Sequence, residues 1–235
     1  IGYNRLEDEC LAGFWQMVNV QSQIDRVVSQ RRSRLLLFTR YPRAGMTKTR
    51  LIPALGAMGA AETQRQMTEQ VLSEVAPVQW QGLAEIEVRF TGGTRRQLRR
   101  WLGQSWRYRD QGAGDLGDRM ARAFGEAFAS GMERVVAIGS DCPQIDSTRL
   151  ISALAALDRH DLVLGPADDG GYYLIGMRRF IPDLFQRIDW GTSQVFEQTT
   201  AIVGDLNLSL AALPTLADVD RPEDLVRLGP RRHAQ

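Results

Sequence analysis

The chain has 235 residues, 43% hydrophobic and 24% charged, the composition of a folded domain with a sizeable core. Lys+Arg 29 against Asp+Glu 28 leaves a formal charge of +1, and so even a balance argues against bulk nucleic-acid binding, which usually needs a strongly basic domain. Cys10 and Cys142 are too few for a disulfide framework or a closed zinc site, no apolar run is long enough for a bilayer, and Glu7, Asp8 and Glu9 stand where a secretory leader would be basic; the expectation is a cytoplasmic protein with neither nucleic acid nor membrane as a partner.

In chain order, Leu6, Cys10, Leu11, Phe14, Trp15 and Val18 recur at helical spacing, which predicts an amphipathic helical extension over residues 1–32 and leaves a homodimer open. The core begins at Arg34. Leu35–Phe38 is a short continuous apolar run, as in a strand buried on both faces. A Pro/Gly-containing loop from Tyr41 to Pro53 follows, then a helix over 57–75. Ile86, Val88 and Phe90 alternate as in a strand, and 94–102 reads as a short arginine-rich helix. Asp115–Ser130 is a helix with Gly131 suited to its end. Val135–Ile138 is a second buried strand, 147–157 a helix, and Leu162–Leu164 and Tyr172–Ile175 two further strands. Residues 193–203 are helical, 207–213 a strand and 221–228 a final helix. Strands alternating with helices predict one α/β domain, a mostly parallel central sheet with helices on both faces.

Open sheets of this kind bind ligands at the carboxyl ends of their strands, and the chemically distinctive residues fall there. After the first strand comes Arg40-Tyr-Pro-Arg43-Ala-Gly45-Met-Thr-Lys48-Thr-Arg50. Residues 31–50 hold seven basic side chains and no acidic one. Glycine admits close backbone approach and the cations offset phosphate charge, as a phosphate cradle requires; a solvated basic loop is the plainer alternative. It is not a Walker A loop, because Thr47 stands where a glycine must directly precede the lysine. Lys48 is the lone lysine beside 28 arginines, which suggests a site that wants a compact ammonium.

Asp141 ends a buried strand within Ser140-Asp141-Cys142-Pro143 and suits a divalent cation; the alternative is a helix cap, a role that Asp146 fits better. Asp220, within Asp218-Val-Asp220, is either a cap before Pro222 or a second metal ligand. Gly114-Asp115-Leu116 reads as a base or ribose pocket, or simply as a turn with Asp115 capping a helix. Asp168-Asp169-Gly170-Gly171-Tyr172 combines paired carboxylates with aromatics, which favours a pocket for a hydroxyl-rich acceptor, although a hairpin turn explains Asp169-Gly170 alone. Trp190 precedes Thr192 and Ser193, either of which is expected as an N-cap. His160, after a helix, and His233, in the tail, do not support a Ser-His-Asp triad, and Cys142 has no nearby histidine to make it a nucleophile.

Taken together, FTRYPRAGMTKTRL (38–51), GDLGDRM (114–120), IGSDCP (138–143), LGPADDGGYYLIG (164–176), Trp190–Val195 and DVDRPEDL (218–225) resemble the bacterial glycosyltransferase-like proteins associated with arsenosugar biosynthesis and related to the 2-phospho-L-lactate guanylyltransferases. The motifs run in the family's order across the core, which sets a domain of 33–229 between the extension and a tail at 230–235. The resemblance implies the GT-A fold of nucleotide-diphospho-sugar transferases. It implies a nucleotide held by Arg43, Gly45, Lys48, Gly114, Asp115 and Leu116, with Mg²⁺ or Mn²⁺ on Asp141 and Asp220. Lys48, Arg50 and Asp169 would act in catalysis, and Asp168, Asp169, Gly170, Gly171, Tyr172 and Trp190 would line the acceptor side. The first reading is sugar transfer from a nucleotide sugar to a small-molecule acceptor. The alternatives are a nucleotidylyltransferase that consumes a nucleoside triphosphate and releases pyrophosphate, and a non-catalytic nucleotide-binding module. Metal-dependent GT-A glycosyltransferases typically carry Asp-any-Asp where this chain has the single Asp141, which leaves room for nucleotidylyl transfer.

Overall fold

The computed structural model describes residues 32–227. The predicted extension, apart from its last residue, and the tail lie outside them. The strands are β1 (Ser33–Arg40), β2 (Glu85–Thr91), β3 (Arg107–Asp110), β4 (Arg134–Gly139), β5 (Leu162–Pro166), β6 (Tyr172–Met177) and β7 (Leu210–Ala212). They form one sheet in the order β3-β2-β1-β4-β6-β5-β7. Only β6 runs against its neighbours, pairing antiparallel with both β4 and β5, so the carboxyl ends of β1, β4 and β5 share one edge.

The apolar run predicted for the first strand is the sheet's centre: Leu36 and Leu37 are fully buried on opposite faces. Helices α1 (Ile52–Trp80), α2 (Arg95–Leu102) and α4 (Ser147–Ala156) cover one face, through Val71, Val75, Leu98 and Leu154. Helix α3 (Leu116–Ala129) and α5 (Val195–Asp205) cover the other, through Met120, Phe124 and Val203. The mostly parallel α/β architecture with helices on both faces is therefore present. Among the described residues, no helix is long and apolar enough to cross a membrane.

Local chemistry sets the boundaries. In α1 the backbone at Gly56 leaves helical geometry (φ 67, ψ 169), so the regular helix starts at the expected 57. It runs on past Pro77 to Trp80. Asp115 caps α3 by accepting from Asp118 N–H at 2.9 Å, Asp146 caps α4 by accepting from Arg149 N–H at 2.8 Å, and Gly131 follows α3 with φ +82. The last helix is six residues of 3₁₀ type, Pro222–Arg227. Neither Thr192 nor Ser193 caps α5, whose N-cap Gln194 makes no side-chain bond to the backbone N–H groups of the first turn. Strand β3 was not foreseen: Arg-Tyr-Arg-Asp has one apolar contact, Tyr108, and is held at the sheet edge by backbone pairing with β2.

Candidate functional site

A cleft of about 680 Å³ opens at the carboxyl ends of the strands, bordered by the loop after β1, the end of β4, the β5–β6 turn and the stretch before Pro222. Its basic wall begins where β1 ends. Tyr41 N–H still reaches Thr91 O at 2.9 Å, and then the chain folds into a tight loop. Thr47, 2% exposed, pins that loop: its hydroxyl accepts from Arg43 N–H at 3.0 Å and lies 3.0 Å from Arg43 O and 3.2 Å from Tyr41 O.

Lys48 comes next, in the left-handed region (φ 47, ψ 47) that costs a non-glycine residue roughly 1–2 kcal/mol. That backbone turns its side chain inward, where it is 5% exposed. The ammonium donates to Val219 O at 2.8 Å and contacts Asp141 Oδ2 at 3.0 Å and Asp220 Oδ1 at 3.4 Å. Three N–H groups meet three oxygens, a match that the planar fork of arginine does not reproduce. Burial alone would lower the Lys48 pKa, but Asp141 and then Asp220 outweigh it and hold the ammonium above its ordinary value. Burial likewise works to raise the Asp220 carboxyl, yet Lys48 and Arg50 keep it below the usual range; Arg50 pairs with its second oxygen.

The acidic residues reach this point from two separate elements. Asp141 follows β4. Val219 N–H donates to Asp141 O at 3.0 Å, which docks the stretch 218–220 alongside it. Val219 is fully buried, and alternation along an extended chain sends Asp218 and Asp220 to the cleft instead. Burial and the neighbouring Asp169 push the Asp218 carboxyl upward. Behind Asp141 lies a buried polar network. Gln64 Nε2, with two N–H groups to give, lies 3.0 Å from Ser140 Oγ, 3.1 Å from Thr68 Oγ1 and 3.2 Å from Thr39 Oγ1, and Ser140 Oγ lies 3.4 Å from Asp141 Oδ1.

Among the described residues, no group of three or more His, Cys, Asp or Glu is arranged to hold a metal ion. The pair Asp141 and Asp220 nevertheless converges on one cation, the Lys48 ammonium, with oxygen donors only. That donor set suits Mg²⁺ or Mn²⁺, which take one or two protein carboxylates and complete their shell with phosphate and water.

On the opposite wall, Ala167–Gly170 forms the tight turn into β6, with Gly170 N–H donating to Ala167 O at 3.1 Å. Asp169 lines the cleft and its Oδ1 accepts from Gly171 N–H at 2.8 Å. Gly170 has φ +86, and a Cβ there would lie 2.2 Å from Ser193 O. Tyr172 meets Trp190 edge-on, ring centroids 6.3 Å apart at 88°. Gly117 packs beneath Trp190: an added Cβ would fall 2.3 Å from Nε1. Burial pushes up the titration of both the Tyr172 phenol and the Cys142 thiol, so neither ionises at neutral pH. His160 lies away from the cleft, its ring bonded to Ala156 O, and His233 is outside the described residues.

Residues 75–192 match the family described as an uncharacterized protein conserved in bacteria, DUF2064. The chain belongs to this family. A provisionally named nucleotide-diphospho-sugar transferase from Desulfovibrio desulfuricans G20 is 34% identical, with 86% of this chain and 89% of that one covered at a TM-score of 0.78. CMP:2-keto-3-deoxy-manno-octonic acid synthetase, solved with CTP, is 11% identical over 84% of this chain and 96% of its own, TM-score 0.51. Glucosyl-3-phosphoglycerate synthase from Mycobacterium tuberculosis, solved with Mn²⁺, UDP and glucosyl-3-phosphoglycerate, is 14% identical over 88% and 78%, TM-score 0.57. At those identities the last two speak for the fold alone: this DUF2064 chain has the fold shared by nucleotide-diphospho-sugar transferases. No protein of curated function matches it by sequence.

The residues singled out by sequence divide into two sets in the DUF2064 structure. Lys48, Arg50, Leu116, Asp141, Asp169, Gly171, Tyr172, Trp190 and Asp220 line the cleft. Arg43, Gly45, Gly114, Asp115, Asp168 and Gly170 do not. Arg43 and Gly45 shape the loop that presents Lys48. Gly114 (φ +101) and Asp115 shape the capped start of α3, and Asp168 is exposed, its backbone N–H on Leu216 O. Asp218, Gln64 and Arg119 also line the cleft and were not singled out. The spacing Asp218-Val-Asp220 was the available signal for the first; Gln64 and Arg119 sit in amphipathic helices where no local pattern distinguishes them.

Proposed function

We propose that this DUF2064 chain is a metal-dependent transferase that moves a sugar from a nucleotide sugar to a small-molecule acceptor. The observation that carries this reading is the convergence of Asp141, Asp220 and Lys48 on one edge of a cleft whose other wall is Asp169, Tyr172 and Trp190. Phosphates would lie toward Lys48, Arg50 and Arg40, and an acceptor hydroxyl toward Asp169 and the aromatic pair. Mg²⁺ or Mn²⁺ held by Asp141 and Asp220 would offset charge on the departing diphosphate.

Lys48 and Arg50 stabilise that same charge as the bond between the anomeric carbon and the phosphate oxygen breaks. Asp169 takes the proton of the acceptor hydroxyl as its oxygen bonds to the anomeric carbon. The nucleoside diphosphate leaves, so atoms and charge balance. Gly171 N–H holds the Asp169 carboxylate in position.

The cation cluster favours a second reading. Arg40, Lys48 and Arg50 along one wall suit a triphosphate as well as a diphosphate, and in nucleotidylyl transfer the leaving group would be pyrophosphate. Melting-temperature shifts with nucleotide sugars and nucleoside triphosphates, each with and without Mn²⁺, test the choice, because a ligand that binds the folded form alone raises the midpoint. The expected result is a Mn²⁺-dependent shift larger for one nucleotide sugar than for its triphosphate, followed by release of nucleoside diphosphate on adding acceptor. A larger shift with the triphosphate and release of pyrophosphate would overturn sugar transfer in favour of nucleotidylyl transfer. Binding without turnover would leave a nucleotide-binding module.

A further inference from the structure

We infer that Lys48 is the resident counter-ion of the Asp141–Asp220 seat, and that a divalent cation enters only together with nucleotide phosphate, which draws the ammonium away. The inference rests on the reading of this cleft as a metal and nucleotide site and specifies the order in which its ligands assemble.

The charge count at the seat is the starting point. Two carboxylates face two cations. Lys48 takes Asp141 Oδ2 and Asp220 Oδ1, and Arg50 takes Asp220 Oδ2. The remaining oxygen, Asp141 Oδ1, lies 3.4 Å from the Ser140 hydroxyl. Asp141 and Asp220 are thus each paired within the chain, with Asp218 and Asp169 as further acidic residues on the cleft wall, so a dication reaches the pair only by displacing the ammonium. A divalent ion held by Asp141 and Asp220 would take the same carboxylate oxygens that the ammonium now contacts. Metal and ammonium on the same oxygens would be like charges a few ångströms apart, which excludes joint occupancy.

The geometry also supplies the release. Lys48 has only 5% of its side chain exposed, whereas the Asp141 side chain is 48% exposed and lines the open cleft. The approach to the seat is from the cleft, and Arg50, 64% exposed, is free to turn toward a ligand there. A diphosphate in the cleft offers Lys48 and Arg50 alternative oxygens, with more negative charge than the carboxylates they leave. Asp141 and Asp220 are then two uncompensated carboxylates beside phosphate, the donor set that Mg²⁺ or Mn²⁺ favours. Metal and nucleotide bind cooperatively because each removes the obstacle to the other.

The test is Mn²⁺ binding to the nucleotide-free protein, read from the free-ion signal in electron paramagnetic resonance. Wild type should bind weakly. Lys48→Met should bind about tenfold more tightly or better, because the competing charge is gone. Lys48→Arg, which keeps the charge, should stay weak. Arg50→Gln alters an exposed side chain that the fold does not need, so it keeps the test valid if Lys48→Met misfolds; it should tighten binding about threefold, half the effect on a logarithmic scale. Adding Asp141→Asn to either variant should abolish the gain. Variants that bind Mn²⁺ no more tightly than wild type would overturn the inference and leave the transferase reading standing. Tight binding that survives Asp141→Asn would overturn both, because the seat would not be the metal site.

Discussion

Lys48 Nζ lies 3.0 Å from Asp141 Oδ2, joining the loop after β1 to the end of β4, two elements 93 residues apart in the chain by the difference of their numbers. The three acceptors around that ammonium point from different directions, and a guanidinium presents its donors in one plane. Lys48→Arg should therefore keep the charge and lose the function. The expected result is a fall in kcat of about tenfold or more, which is ~1.4 kcal/mol of transition-state stabilisation, with a folded protein by circular dichroism. Wild-type turnover in Lys48→Arg would show that charge alone suffices and that the lone lysine among 28 arginines has no chemical cause.

The two aspartates flanking Val219 should respond to pH with opposite signs. Asp220 is held low in the folded state, after burial is outweighed by Lys48 and Arg50. Its stabilising contribution is present above the ordinary carboxylate value of about 3.9 and disappears as pH falls through the lower folded value. Asp218 is held high, by burial and then by Asp169. Its contribution is present below the ordinary value and is lost as pH rises through the folded one, so at pH 7 its charged form costs stability. Lys48, raised by Asp141 and Asp220 against burial, keeps its contribution until pH climbs past about 10.4. At pH 7, Asp220→Asn should lower the melting temperature and Asp218→Asn should raise it, each by roughly 1–3 °C. Melting curves from pH 3 to 8 check both, and shifts of the same sign would contradict the arrangement.

How far the sequence disclosed this arrangement depended on how local each cause was. Leu35–Phe38 and Val135–Ile138 are apolar because they are central strands covered on both faces, so their composition records their position. Polar and charged residues follow those apolar runs at the strand ends, and Lys48, Arg50 and Asp141 stand out there by contrast. Strand β3 is an edge, where three of four residues are charged and backbone pairing suffices, so no apolar pattern marks it. Arg43 and Gly114 lie in turns outside the cleft wall, where glycine and cations mark both a ligand cradle and an ordinary turn, and only tertiary packing separates the two. Gln64 carries no signal in its own helix. Its meaning arises when Thr39 of β1 and Ser140 at the end of β4 converge on its amide beside Thr68 of the same helix.

Gly170 joins the acceptor wall to the start of α5. Its carbonyl accepts from Phe196 N–H at 2.9 Å, and its φ of +86 is one that alanine adopts at a cost of roughly 1–2 kcal/mol. An alanine Cβ would also meet the Ser193 backbone carbonyl at 2.2 Å, which no side-chain adjustment relieves. Gly170→Ala should lower the melting temperature by about 4–8 °C and reduce turnover, by pushing the 190–196 segment away from Asp169. Gly191→Ala is the control. It has a similar φ of +83 but open space around the added Cβ, so it should carry the backbone cost with less loss of turnover. Equal losses of turnover in the two variants would remove the contact with Ser193 as the cause.

Asp168 and Asp169 are adjacent in sequence and differ in what they face. Both are exposed, but Asp169 lines the cleft with its Oδ1 fixed by Gly171 N–H, whereas Asp168 lies outside the cleft wall. Asn at position 169 keeps the oxygen that accepts from Gly171, so the turn persists, but it cannot take a proton. Asp169→Asn is expected to lower kcat by about 10²–10⁴, the usual worth of a general base, while nucleotide affinity stays within about twofold, since the base acts in the chemical step and not in ground-state binding. Asp168→Asn should leave both within about twofold, as surface changes away from a site do. Steady-state kinetics on the two variants, with nucleotide binding measured separately, decides the matter: loss of turnover in Asp168→Asn with Asp169→Asn unaffected would assign the base to the wrong member of the pair and redraw the acceptor side of the cleft.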